Sequence, residues 1–179
     1  MIYNQISPQQ VSIDFINGYL TPWALLMDYC TNEVEYTYFF KRIEKSGDLH
    51  ETVFQEIENS VGVGASTERK SILPLKEKHG LVEITDWENT LKGHLQPWFC
   101  WLQETLKTNK NGRFWADDFL LKDFLEVLKV FFQNQNIRCW KMEEWTKNDL
   151  FYDWGGIGFD DFFFENEGSV FHLHFQVCD

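Results

Sequence analysis

The sequence predicts an α+β fold, with N-terminal helices packed on a small C-terminal antiparallel sheet that ends in a β-hairpin. Three observations predict it. Cap-and-period signals of helices recur through the first 135 residues. After Asn136 the apolar period changes from helical spacing to alternation. Two alternating runs near the C-terminus, Phe159 to Glu165 and Ser169 to Val177, flank Asn166-Glu167-Gly168, which has the composition of a hairpin turn. Helices first and strands afterwards is the α+β order. A chain of 179 residues suits one core, so residues 1–179 read as a single domain, 1–135 mainly helical and 136–179 mainly β.

The first helix start is Ile6-Ser7-Pro8-Gln9-Gln10-Val11. Ser7 can cap, Pro8 suits the first helical position, and Gln10 can reach back as a capping box. That helix is expected to run to about Leu20. Thr21-Pro22 repeats the start signal for a short helix ending near Cys30, and Asn32 with Glu35 predicts another over Glu33 to Lys45. Strand-like residues in Tyr36-Thr37-Tyr38-Phe39-Phe40 oppose that last assignment. Asp48 with Glu51 opens a clearer helix, with Leu49, Val53 and Ile57 on one face. Val61 to Ser71 reads as a loop; it lacks the order of a phosphate loop. Thr85 with Glu88 starts a helix that Pro97 is expected to break or kink, with a second piece over Trp98 to Lys107. Ala116 to Gln133 is the most regular helix, with Leu120, Phe124, Val127, Leu128 and Phe131 as its core stripe. Its Asp117 and Asp118 suit the positive end of the helix dipole. Ile137 to Met142 alternates like a strand, and Trp145 to Gly158 is irregular. Gly168 is placed at the left-handed position of a three-residue hairpin loop.

Composition narrows the function. The chain carries a net charge of −12, which opposes binding to nucleic acid phosphates or an anionic membrane. No basic n-region with an apolar core opens it, and no run approaches the roughly 18 apolar residues of a membrane span, so a cytoplasmic location is expected. The cysteines at 30, 100, 139 and 178 have no CxxC spacing and read as free, mostly buried thiols.

No catalytic motif is present. There is no GxSxG, and Cys100 sits among Trp98, Phe99 and Trp101, where burial makes a thiol inert. His172 and His174 alternate on one strand face, with Asp160, Asp161 and Glu165 on the hairpin partner. Imidazole and carboxylate suit divalent ions. The spacing is not specific, and the expectation is no metal, no cofactor and no enzyme.

The last 37 residues, Glu143 to Asp179, hold nine carboxylate side chains and one Lys, which is −8 of the net −12. Ten aromatics lie among them, including the run Phe162-Phe163-Phe164. Three consecutive apolar residues cannot all face one side of a strand. Either the outward ring is covered or it stands exposed beside acids, which is the composition of a contact for a basic protein. The expected partner-binding residues are Asp160, Asp161, Phe163, Glu165 and Glu167 on the hairpin, with Asp149, Tyr152, Asp153 and Trp154 on the preceding irregular segment.

With Phe159-Asp160-Asp161-Phe162-Phe163-Phe164-Glu165-Asn166-Glu167-Gly168 as its densest part, the chain resembles the immunity proteins of bacterial toxin–immunity systems, including contact-dependent growth inhibition. The resemblance is of class, without a shared motif. It implies stoichiometric neutralisation of a cognate toxin, a nuclease with a basic surface, by occupying its active site or a neighbouring exosite. Two other readings fit the same residues: an adaptor for another basic protein, and a small carboxylate- or metal-dependent hydrolase.

Overall fold

The computed structural model describes residues 11–31, 34–61, 80–107, 119–133, 135–142 and 158–178. In chain order these form α1 (Ile13–Thr31), β1 (Glu35–Ile43), α2 (Leu49–Val61), β2 (Leu81–Ile84), α3 (Trp87–Lys107), α4 (Phe119–Phe131), β3 (Arg138–Met142), β4 (Gly158–Glu165) and β5 (Val170–Cys178). The strands make one sheet in the order β1-β5-β4-β3-β2, and every neighbouring pair is antiparallel. The α+β class is as expected.

The predicted hairpin forms, but it lies at the middle of the sheet rather than as an appendage. β5 pairs with β1 on one side and β4 on the other, and β4 pairs with β3. A central strand covered on both faces reads as a continuous apolar run. That explains Phe162-Phe163-Phe164, whose rings are all fully buried. Phe162 and Phe164 point into the larger core, with Leu20 and Trp23 of α1, Leu91, Leu95 and Phe99 of α3, and Phe124 and Leu128 of α4. Phe163 points the other way, into a smaller core with Ile43, Val53, Phe54, Met142 and Val170. Rings of this size bury about 150–250 Å² each and dominate the energetics of such cores.

Several elements differ from expectation. The capping pair predicts a helix over residues 33–45, yet Glu35–Ile43 is strand β1. Its burial alternates through Tyr36, Tyr38 and Phe40, which enter the larger core, while Ile43 at its end packs into the smaller core on the other face. β-branched and aromatic content outweighed a local capping pair, because the strand finds β5 to pair with. Strand β2, for which the sequence carries no clear local signal, also comes from the first 135 residues. The sheet therefore draws two of its strands from residues 1–135, the part predicted to be mainly helical.

Both expected proline breaks are absent. α1 runs unbroken through Pro22, and α3 through Pro97. Each proline is exposed and follows an exposed glycine four residues earlier, Gly18 and Gly93. The proline ring crowds the carbonyl of that residue and offers it no N–H. A glycine on the solvent side lets the carbonyl tilt out to water, so the helix continues.

Local signals succeeded where the chemistry is short-range. The backbone N–H of Glu51 donates to Asp48 Oδ1 at 2.8 Å, which caps α2. Gly47 before it has φ of 79°. The cap of α1 is Ser12, whose Oγ accepts from the Phe15 N–H at 3.1 Å; the Ser7-Pro8 signal lies outside the described residues. The hairpin loop spans four residues, since Glu165 pairs with Val170. The Asn166 N–H donates to the Ser169 carbonyl at 3.0 Å, and the Gly168 N–H donates to Asn166 Oδ1 at 3.1 Å. Among the described residues only Asp86 and Gly47 have positive φ, so Gly168 is not left-handed as predicted. The side-chain hydrogen bond of Asn166 shapes the turn instead.

Edge strand β1 is shielded by α1. Asn17 Nδ2 donates to the Phe40 carbonyl at 2.8 Å, while the Phe40 N–H donates to Asn17 Oδ1 at 2.7 Å. The Tyr36 N–H donates to Asp28 Oδ1 at 2.5 Å. These side chains occupy backbone groups that would otherwise template another strand.

Candidate functional site

Pairing of β4 with β5 sets Asp161 opposite His174, and Phe163 opposite His172. Residues two apart on a strand share a face, so Asp161, His172 and His174 converge. One oxygen, Asp161 Oδ1, lies 2.6 Å from His172 Nε2 and 2.7 Å from His174 Nδ1. All three residues are buried, at 1%, 1% and 2% exposure. His174 Nε2 in turn contacts Gln176 Oε1 at 3.0 Å.

Aromatic rings wall this cluster. Phe163 stacks on His172 at 4.6 Å between centroids, and Phe39 of β1 stacks on His174 at 4.7 Å. Phe39 also meets His172 edge-on at 5.2 Å. Lys41, opposite His172 on β1, lies over the Phe39 ring and pairs with Glu56 of α2.

The electrostatics follow from burial and contact. Burial alone would push the Asp161 carboxyl up. Attraction to His174 and hydrogen bonds with both imidazoles outweigh it and hold the carboxyl well below the usual carboxylate range. His172 is lowered from its ordinary value, chiefly by burial, against the opposing pull of Asp161. Among the described residues three buried side-chain polar atoms lack a hydrogen-bond partner: Trp140 Nε1, Asp161 Oδ2 and His172 Nδ1. Two of them belong to this cluster.

The residues expected to bind a partner separate into three groups. Asp149, Tyr152, Asp153 and Trp154 lie outside the described residues. Asp161 and Phe163 are buried, so neither presents the outward face expected of it. The acids on either side are engaged within the chain. Asp160 accepts from Trp98 Nε1 at 2.7 Å and pairs with Lys141 at 2.8 Å. Glu165, 7% exposed, pairs with Lys45 at 3.1 Å and with Arg138 at 2.5 Å. Glu167, at the hairpin turn, is exposed. Asp160 and Glu165 are thus neutralised by Lys45, in the segment after β1, and by Arg138 and Lys141 of β3, which a count along the sequence cannot pair.

A different surface went unread in the sequence. On α1, Phe15, Gly18, Pro22, Leu25 and Tyr29 are all exposed. They recur at spacings of three and four, which places them on one face. Leu25 is 61% exposed and Tyr29 81%. The periodicity was available, but Ile16, Leu20, Trp23, Ala24 and Met27 form an equally regular stripe on the opposite side and are the ones buried. None of the described helices is long and apolar enough to cross a membrane.

No protein-family model matches the chain, and no curated protein matches it. Among solved structures it is similar to citrus MAF1 in two crystal forms. One is 16% identical over 94% of this chain and 99% of that one, with a TM-score of 0.46. The other is 15% identical over 87% and 98%, with a TM-score of 0.43. Likeness at this level carries no functional meaning.

Proposed function

We propose that the chain is an immunity protein, a non-catalytic cytoplasmic binder that captures a basic toxin, a nuclease, and blocks it stoichiometrically. The observation that carries this reading is the outer face of α1. Its exposed Phe15, Leu25 and Tyr29 lie on a helix whose only charged residues, between Ile13 and Thr31, are Asp14 and Asp28. A helix that is apolar outside as well as inside is one that a second surface covers. Large exposed rings are the usual anchors of an interface. The net charge of −12 supplies a field that favours a cationic partner and speeds its capture.

The contact set accordingly moves from the hairpin face to α1. Glu167 stays in it as an exposed acid, and Asp149, Tyr152, Asp153 and Trp154 stay in it as acids and rings of the preceding segment. Buried Asp161 and Phe163 leave it.

The test pairs the purified chain with the protein encoded directly upstream of it. Binding and inhibition of that protein's toxic activity are expected. The double variant Leu25→Ala, Tyr29→Ala removes two exposed anchors and should weaken affinity by about 30-fold or more, the scale of one hot spot. Its circular dichroism should match the parent, because both side chains face solvent. Unchanged affinity in that variant would remove α1 from the contact. Absence of any binding or inhibition by the parent chain would end the immunity reading.

A further inference from the structure

We propose that Asp161, His172 and His174 form a binding site for one divalent transition-metal ion of the zinc class, clamping β4 to β5 inside the sheet. Each residue offers one ligand atom, and these atoms all lie within 4.8 Å of one another. Two imidazoles and one carboxylate are a donor set that borderline ions such as zinc accept.

Two further observations point to a cation. The first is the unpartnered oxygen. Among the described residues Asp161 Oδ2 is buried and receives no hydrogen bond, while Oδ1 takes both imidazole contacts. A buried carboxylate with a bare oxygen is costly unless something positive stands beside it. The second is the tautomer of His174. Gln176 Oε1 is an acceptor only, so His174 Nε2–H donates to it at 3.0 Å. In a neutral His174 the other nitrogen, Nδ1, then carries no proton. Its lone pair faces Asp161 Oδ1 at 2.7 Å. Two electron-rich atoms at that separation attract only through a shared cation or a shared proton.

The surroundings suit a metal. Gln176 acts as the outer-shell group that orients a ligating histidine. Phe163 and Phe39 stack on the two imidazoles and hold their planes. The same walls keep the residues at 2% exposure or less, which leaves no approach for a substrate. The competing occupant is a proton, giving an imidazolium–carboxylate pair with no metal.

The experiment uses the full-length chain without an affinity tag, stripped with a chelator and then equilibrated with zinc or cobalt. One equivalent of zinc should remain after gel filtration, and the melting temperature should rise with free zinc, as for any ligand that binds only the folded state. The cobalt form should show visible absorption from nitrogen and oxygen ligands. Asp161→Asn should abolish stoichiometric binding. Gln176→Leu, which touches no ligand atom, should keep the fold and weaken zinc affinity about 10- to 100-fold. A parent chain that retains no zinc and melts identically with and without it overturns the site in favour of the proton. Zinc binding undiminished in folded Asp161→Asn, or in Gln176→Leu should the first variant not fold, overturns it in favour of an adventitious surface ion.

Discussion

Asp161 illustrates how far a side chain's setting can depart from its type. Along the sequence it is one acid among nine in an acidic tail. In the fold it is buried between two imidazoles. Reversing Asp160 and Asp161 to Lys would suit a surface patch, but here it would bury a cation against His172 and His174. A buried charge left without a compensating partner costs about 3–5 kcal/mol, so that variant is expected to unfold rather than to report on binding. Cys139 carries a second residue-scale prediction. Burial pushes its thiol up to about 12, against a small opposing effect of a backbone hydrogen bond. It should resist a maleimide reagent at pH 8 in the native chain and react once denatured, as peptide mapping would show. An unfolded thiol ionises near about 8.5. The raised folded value means stability that is complete below that pH and lost progressively as pH rises towards 12. A cysteine was expected to be buried and free, and Cys139 is both.

Elements were legible where their signals are local and misread where pairing decides. The capping pair before α2 worked because a carboxylate and an N–H three residues apart need no other part of the chain. Asp48→Ala should therefore cost about 1 kcal/mol, read as a shift of the urea midpoint without a change of slope. The stripe of α4 likewise placed Phe124, Val127 and Leu128 in the core. Strand β1 resembles a helix in sequence because Asn32 and Glu35 have the spacing of a cap, and β5 supplies the ladder that makes Glu35–Ile43 a strand. Pro22 and Pro97 looked like breaks because the cost of an interior proline depends on which way it faces, and both face water. The hairpin was found with its strands near their true ends, yet its loop is one residue longer than the turn composition implied.

For the whole molecule, charge is the property with a direct experimental consequence. A chain at −12 that captures a basic partner should associate more slowly as salt rises, with the dissociation rate changing much less. Stopped-flow association at low and high ionic strength would measure both, and a salt-independent on-rate would count against electrostatic capture. The sequence by itself determined the class of the fold, the hairpin, the local caps and the acidity, because composition, period and short-range hydrogen bonding are properties of contiguous residues. Only the tertiary structure decided that the hairpin lies in the middle of the sheet with cores on both faces. That placement took three phenylalanines and an aspartate out of solvent and joined Asp161 to His172 and His174, while the outer side of α1 is an exposed apolar surface among the described residues. Strand order and the covering of a face depend on contacts between residues far apart in the chain, and no local pattern encodes which of two apolar faces will be covered.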